Sequence, residues 1–386
     1  MARIGIEAVN AYCGSAWLPA EELFTARGLD HTRLAGLGLV GKGVVLPDED
    51  VVSLAATAAR PLARDDIRTL VVATESGVDM SKSVSTHVHQ LLGLPRQCRL
   101  FEVKQACYGG IAALQAAAGL VSVEPGSKAL VVAADVPAVT RGEYIEAGQG
   151  CGAVAVLVGD QPGVVELSLG DSGCYGYELA DFLRPGPDVE VVDTDLSLVS
   201  YLDSLLGAFA DHCDRVPGTD IVTGFDMLAM HTPFPGMVRG AHRTLLRKLS
   251  DLRPDAIAED YRARVEPSTR LPATAGNIYS ATTLLAMLSA IGHRPSTRDQ
   301  VLGVFSYGSG SAAEFIRCVV PAGATAVLPD LSARTRLSVP EYDRFLDRTR
   351  LLGQGARDVP VEVRTEWPGR AVLTGISGYQ REYAWL

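Results

Sequence analysis

A chain of 386 residues is too long for one small core and suits two packed units, or one large α/β architecture built from two halves. With 47% hydrophobic and 21% charged residues, it is neither disordered nor fibrous. Its formal charge of −10 excludes a nucleic-acid backbone as main partner, because neutralising phosphates takes concentrated Lys and Arg. No export signal or membrane span is predicted. Arg3 is followed closely by Glu7, and no uninterrupted apolar run reaches spanning length. Seven scattered cysteines (Cys13, Cys98, Cys107, Cys151, Cys174, Cys213 and Cys318), without C-x-x-C spacing, suit a reducing, cytoplasmic compartment.

In chain order, VGKGVVLPDED carries G-K-G around Lys42 without phosphate-loop spacing and reads as a turn. TLVVATES, Thr69 to Ser76, reads as a buried strand ending on Glu75, and Asp79 in ESGVD as a helix cap. His87 and His89 lie two apart on a predicted helix, on different faces, so a metal site is discounted. YGGIAALQAAAGLV, after Cys107, predicts a helix of small residues packed on all sides. ALVVAAD, Ala129 to Asp135, and GAVAVLVGD, Gly152 to Asp160, read as further strands.

The GDQPG interruption from Gly159 to Gly163 predicts a division into residues 1–163 and 164–386. DLSLVSYLDSLLGAF repeats apolar residues at Leu196, Val199, Leu202, Leu206 and Phe209, a helical stripe with Asp195 as cap. VLGVFSYGSG, Val301 to Gly310, reads as a strand entering a glycine-rich turn. SVPEYDRFLDRTRLL predicts a helix capped at Ser338.

Chemistry gathers around Cys107 in FEVKQACYGG. At a helix N-terminus, unpaired N–H groups favour a thiolate and offer oxyanion donors; the bland alternative is a buried, inert cysteine. Glu75 at a strand end suits a general acid/base, with a cap of the next turn as the bland alternative; the prolines after His231 in LAMHTPFPG would hold an imidazole in place, whose bland alternative is a satisfied structural histidine. Asn277 in TAGNIYSA would supply an amide. Gly308 and Ser309 in SYGSG would bring close backbone N–H groups.

The set ATESGVD, FEVKQACYGG, MHTPFPGMV, GNIYSA and FSYGSGSAAEF, in this order, closely resembles 3-hydroxy-3-methylglutaryl-CoA synthases of the thiolase superfamily. The resemblance implies an α/β, thiolase-like, five-layered αβαβα fold of two similar halves, assembled as a homodimer. It implies Cys107 as acylated nucleophile, Glu75 as general acid/base, and His231 and Asn277 as contacts to the second substrate. Ser309, with Gly308, would line the oxyanion pocket. No cofactor is implied beyond the phosphopantetheine that carries the substrates.

Two members of the family compete. The mevalonate-pathway enzyme uses CoA thioesters; the polyketide β-branching synthase uses an acetyl or propionyl donor carrier protein and a β-ketoacyl acceptor carrier protein of a polyketide synthase. Gln105, where mevalonate enzymes usually carry Glu, resembles the second; Gly236, where they tend to carry a Lys for CoA phosphates, weakens a site for free CoA, and Val139, in place of their Tyr, puts a mevalonate role in doubt, since β-branching enzymes vary there too. Carrier proteins are acidic, and Arg239, Arg243 and Arg247, with Lys248 beside them, form a basic helical stripe; Arg33 in LDHTRL is a further phosphopantetheine candidate. The remaining rivals are a ketosynthase III-like condensing enzyme, which needs no general base, and a non-catalytic carrier-binding scaffold.

Overall fold

The computed structural model describes residues 3–386. Its main sheet runs, in spatial order, through Met227–Met230, Gln300–Gly308, Ala312–Val320, Val165–Leu167, Gly5–Tyr12, Gly152–Gly159, Lys128–Asp135, Ile67–Ala73 and Arg99–Val103. The short strand Val165–Leu167 bridges the two halves by pairing with both Gly5–Tyr12 and Ala312–Val320. Lys128–Asp135 and Gly152–Gly159 are buried along their whole length. That is why they read as continuous apolar runs instead of alternating patterns.

Helices cover each half on both faces. Val51–Ala59 and Val84–Leu92 pack outside the first half, and Thr194–Arg215 and Pro235–Leu249 outside the second. Between the halves, Gly109–Val123 meets Thr282–His293 in one shared core. The result is the five-layered thiolase-like arrangement that the resemblance implies. The stretch Ala106–Val123 has the length and mean hydropathy (1.5) of a membrane span, but half of it is buried in this central core.

Several local expectations are corrected. The Cys107 helix is not packed on all sides, because Ala116 and Gly119 are exposed. Thr194–Arg215 is capped by Asp193, whose side chain accepts from the Leu196 N–H, so Asp195 lies inside the first turn. Its buried face is Tyr201, Ser204, Leu205, Ala208, Phe209 and His212, while Val199 is exposed. Small and polar residues were under-weighted there against Leu and Val. The G-K-G stretch is the strand Gly41–Val44, not a turn. Lys42 is buried in it, donating to the Glu146 carbonyl and the Tyr342 hydroxyl at 2.7 Å each. Asp79 caps a turn through the N–H groups of Ser81 and Lys82, and the helix after it is capped by Ser83. Ser338 does cap Val339–Thr349, in a reciprocal box with Glu341.

Candidate active site

Glu75 and Cys107 both follow the C-terminal ends of neighbouring parallel strands, Ile67–Ala73 and Arg99–Val103, in register at Ala73 and Val103. In open α/β sheets that end is where ligands bind. Cys107 sits in a tight turn two residues before its helix begins at Gly109. Ala106 takes the left-handed conformation (φ 45°), and the Tyr108 and Gly109 N–H groups bond back to Gln105 and Ala106. A non-glycine residue held there costs about 1–3 kcal/mol, retained only where surrounding structure over-determines it.

Gly308 presses on this turn. A Cβ there would stand 2.8 Å from the Tyr108 nitrogen, so only glycine permits the approach. Beyond it, Ser309 is half-buried. Its turn is anchored by buried Asp181, which accepts from the Gly310 N–H at 2.9 Å and the Tyr307 hydroxyl at 2.8 Å.

The Cys107 sulfur lies 4.0 Å from Glu75 Oε2, in reach of a long S–H···O contact. Glu75 Oε1 is buried without a hydrogen-bond partner among the described residues. Burial, and then the charge of Asp135, push the Glu75 carboxyl well above its ordinary range. The electrostatics here run against the thiolate expected at a helix tip. Burial, and then Glu75, push the Cys107 thiol well above its ordinary value, so the resting sulfur is protonated.

Asp135 went unnoticed in the sequence, although it closes the run ALVVAAD. Its Oδ1 accepts from the Thr74 and Ser76 hydroxyls and the Glu75 and Ser76 N–H groups, and its Oδ2 from the Ser280 N–H and hydroxyl. It thereby ties the Glu75 turn to the Asn277–Ser280 turn. Asn277 is half-buried there, its N–H on the Gly148 carbonyl at 2.7 Å. Its Oδ1 accepts from the Tyr279 N–H and the Thr282 hydroxyl, which fixes the amide and leaves Nδ2 to donate elsewhere.

His231 follows Met227–Met230, which pairs in parallel with Leu302–Phe305, the strand that continues to Gly308. Its N–H donates to Phe305 and its carbonyl accepts from the Tyr201 hydroxyl. Nδ1 is buried without a partner among the described residues, and burial lowers the imidazole to about 3, so the ring is neutral. A cleft of about 870 Å³ opens on Glu75, lined also by Ser76, Ala106, Phe182, Arg184 and Arg350. Cys107, His231 and Asn277 do not line it.

The basic candidates lie elsewhere, on the surface. Arg33, on His31–Leu37, is exposed and stacks over the Tyr144 ring at 4.7 Å; Arg239, on Pro235–Leu249, reaches the Gly36 carbonyl of the same short helix at 3.4 Å. Arg243, Arg247 and Lys248 are exposed further along. Gly236 is where these helices touch: a Cβ would collide with the Gly36 carbonyl oxygen and come within 3.2 Å of that of Leu37. Val139 is buried in a core beside Ala147 and Leu337. His87 packs edge-on against Tyr383, and His89 bonds to the Pro95 carbonyl.

Comparison with known proteins identifies the family. The family described as hydroxymethylglutaryl-coenzyme A synthase N terminal matches residues 2–163, and its C-terminal counterpart matches residues 243–340. The chain is 39% identical, over all of both chains, to the polyketide biosynthesis 3-hydroxy-3-methylglutaryl-ACP synthase of Bacillus subtilis. It is 34% identical to the hydroxymethylglutaryl-CoA synthase of Enterococcus faecalis, over 90% of this chain and 92% of that one. Among solved structures, the curacin-pathway HMG synthase in complex with acetyl donor-ACP superposes with a TM-score of 0.96 at 39% identity over all of both chains. MvaS in complex with 3-hydroxy-3-methylglutaryl coenzyme A gives 0.90 at 35%, over 100% of this chain and 99% of that one. Matched in both its N-terminal and C-terminal parts, and along its full length, the chain belongs to the hydroxymethylglutaryl-CoA synthase family.

Proposed function

We propose that the chain is a β-branching synthase of polyketide biosynthesis. It condenses an acetyl group from a donor acyl carrier protein with a β-ketoacyl chain on an acceptor carrier protein. The observation that carries this reading is the 4.0 Å approach of Cys107 Sγ to Glu75 Oε2. A thiol and a carboxylate that close serve one small acyl unit.

Because the resting sulfur is a thiol, attack on the acetyl thioester passes its proton to the Glu75 carboxylate, which returns it to the departing pantetheine thiolate. Acetyl-Cys107 and an ionised Glu75 remain. Glu75 then takes a proton from the acetyl methyl group, and the Cys107 N–H, with N–H groups of the 308–309 turn packed beside it, stabilises the enolate oxygen. The enolate carbon attacks the β-carbonyl. Neutral His231 and the Asn277 amide donate hydrogen bonds to that oxygen, and the proton on Glu75 moves to the new alkoxide. Water finally cleaves the thioester, one of its protons returning to the Cys107 sulfur, and the carboxylic acid formed releases a proton to solvent to leave a carboxylate. No step calls on a cofactor.

Carrier proteins rather than free CoA are favoured by the Gly236 contact, which leaves no room for a Lys, and by the exposed arginines around it. Arg33, Arg239, Arg243 and Arg247 would meet the acidic carrier and its phosphopantetheine phosphate. The relatives whose names specify an ACP add weight. We further infer a boundary between residues 163 and 164, a cytoplasmic location consistent with seven free cysteines, and a homodimer, with Arg99–Val103 offered at the sheet's edge.

The test is acetylation of Cys107 followed by intact mass, from acetyl-carrier protein and acetyl-CoA side by side. Faster transfer from the carrier supports the reading. Preference for acetyl-CoA points to the mevalonate-type enzyme, and no acetyl-Cys107 from either donor points to a scaffold.

A further inference from the structure

Glu190 lies outside every motif above, yet it reaches the site from a distance. It sits on a two-stranded hairpin, Phe182–Gly186 paired with Val189–Val192, separate from the main sheet. Alternation along the strand leaves Val189 and Val191 exposed and turns Glu190 inward, where its carboxylate is shielded from solvent. Four groups converge on it. Gln149 Nε2 donates at 2.6 Å, the Ala138 N–H at 2.9 Å and the Tyr279 hydroxyl at 3.1 Å, and Arg184 on the same hairpin stands 3.7 Å away.

Tyr279 makes this arrangement consequential. It takes a left-handed backbone conformation (φ 45°), strained for an aromatic residue, and its N–H holds the Asn277 amide oxygen. Its ring packs 6.2 Å from Phe182, so the hairpin grips both the face and the hydroxyl of one side chain. Asp135 secures the next residue, Ser280, so the turn is clamped on both sides of the strain.

We propose that Glu190 is a positioning residue for the acceptor substrate: by holding the Tyr279 hydroxyl it fixes the turn that aims the Asn277 amide at the β-carbonyl. This rests on the role given to Asn277 above. Misplacement of a substrate contact by about 1 Å can cost on the order of a hundredfold in rate. Glu190 also acts through charge, as one of the groups raising the proton affinity of Glu75.

The experiment measures two half-reactions, Cys107 acetylation by acetyl-carrier protein and condensation with a β-ketoacyl-carrier protein, in the wild type and in Glu190→Ala, Glu190→Gln, Tyr279→Phe and Asn277→Ala. Glu190→Ala and Tyr279→Phe are expected to slow condensation about tenfold or more relative to acetylation. Glu190→Gln, which keeps an acceptor oxygen but no charge, should restore most of the condensation rate and move the acid limb of its pH profile to lower pH. Condensation at the wild-type rate in Glu190→Ala, beside a crippled Asn277→Ala, overturns this inference alone. Equal losses in both half-reactions, with Gln no better than Ala, also overturn it. Wild-type condensation in Asn277→Ala removes the underlying reading instead.

Discussion

At the scale of single residues, two proton affinities are raised and one is lowered, and together they dictate when condensation can run. Glu75 must be ionised to draw a proton from the acetyl group, and burial raises its carboxyl above the ordinary 4.5. Rate should therefore fall as pH drops through a limb lying above 4.5. His231, lowered to about 3 by burial, should contribute no limb near 6.5. A single-turnover pH profile of condensation checks both, and a limb that vanishes when His231 is replaced would contradict the assignment. Cys107, Glu75, His231 and Asn277 are each weak signals alone, and they stand out in the sequence only through the ordered set of motifs that carries the family resemblance. Asp135 and Glu190 do not. Their partners lie far along the chain, Ser280 for the one and Gln149 and Tyr279 for the other, and no local pattern announces such contacts. The upward push on the Cys107 thiol is hidden for the same reason, because the helix tip is local in sequence and Glu75, Asp135 and Glu190 are not.

At the scale of elements, buried strands read directly from the sequence. ALVVAAD and GAVAVLVGD became Lys128–Asp135 and Gly152–Gly159, since strands covered on both faces are apolar throughout. Lys42 hid its strand, because a buried lysine bonded to a carbonyl and a hydroxyl looks like a surface residue in one dimension. The hairpin that carries Glu190, and the closing strands Ala371–Ser377 and Gln380–Trp385, gave no recognised period either. Packing between Pro235–Leu249 and His31–Leu37 yields a direct prediction. Gly236→Ala forces a Cβ into the Gly36 carbonyl and should destabilise the protein by about 1–3 kcal/mol, read as a lower urea midpoint. An unchanged midpoint would mean that the helices separate freely, and the argument against a Lys there would lapse.

At the scale of the whole molecule, the halves contribute unequally. The first brings Glu75 and Cys107 to the ends of parallel strands; the second presses the Gly308 turn against the Cys107 turn, with His231 on the strand next to the one that ends at Gly308, while the Asn277–Ser280 turn is tied to the Glu75 turn through Asp135. The five layers followed from the family resemblance, not from periodicity, because the pairing of distant strands leaves no trace in either half alone. On the outside, the arginines on two touching helices form a face separate from the chemistry. Reversing Arg239 and Arg243 to Glu should raise KM for acetyl-carrier protein about tenfold, less so at high salt, with kcat little changed. A fall in kcat with KM unchanged would place the carrier elsewhere. The most direct test of the central claim is intact-mass analysis of Glu75→Gln exposed first to acetyl-carrier protein and then to β-ketoacyl-carrier protein. The account predicts that Cys107 accepts the acetyl group, if more slowly, and keeps it, with condensation lowered about a hundredfold or more; turnover at the wild-type rate would contradict it.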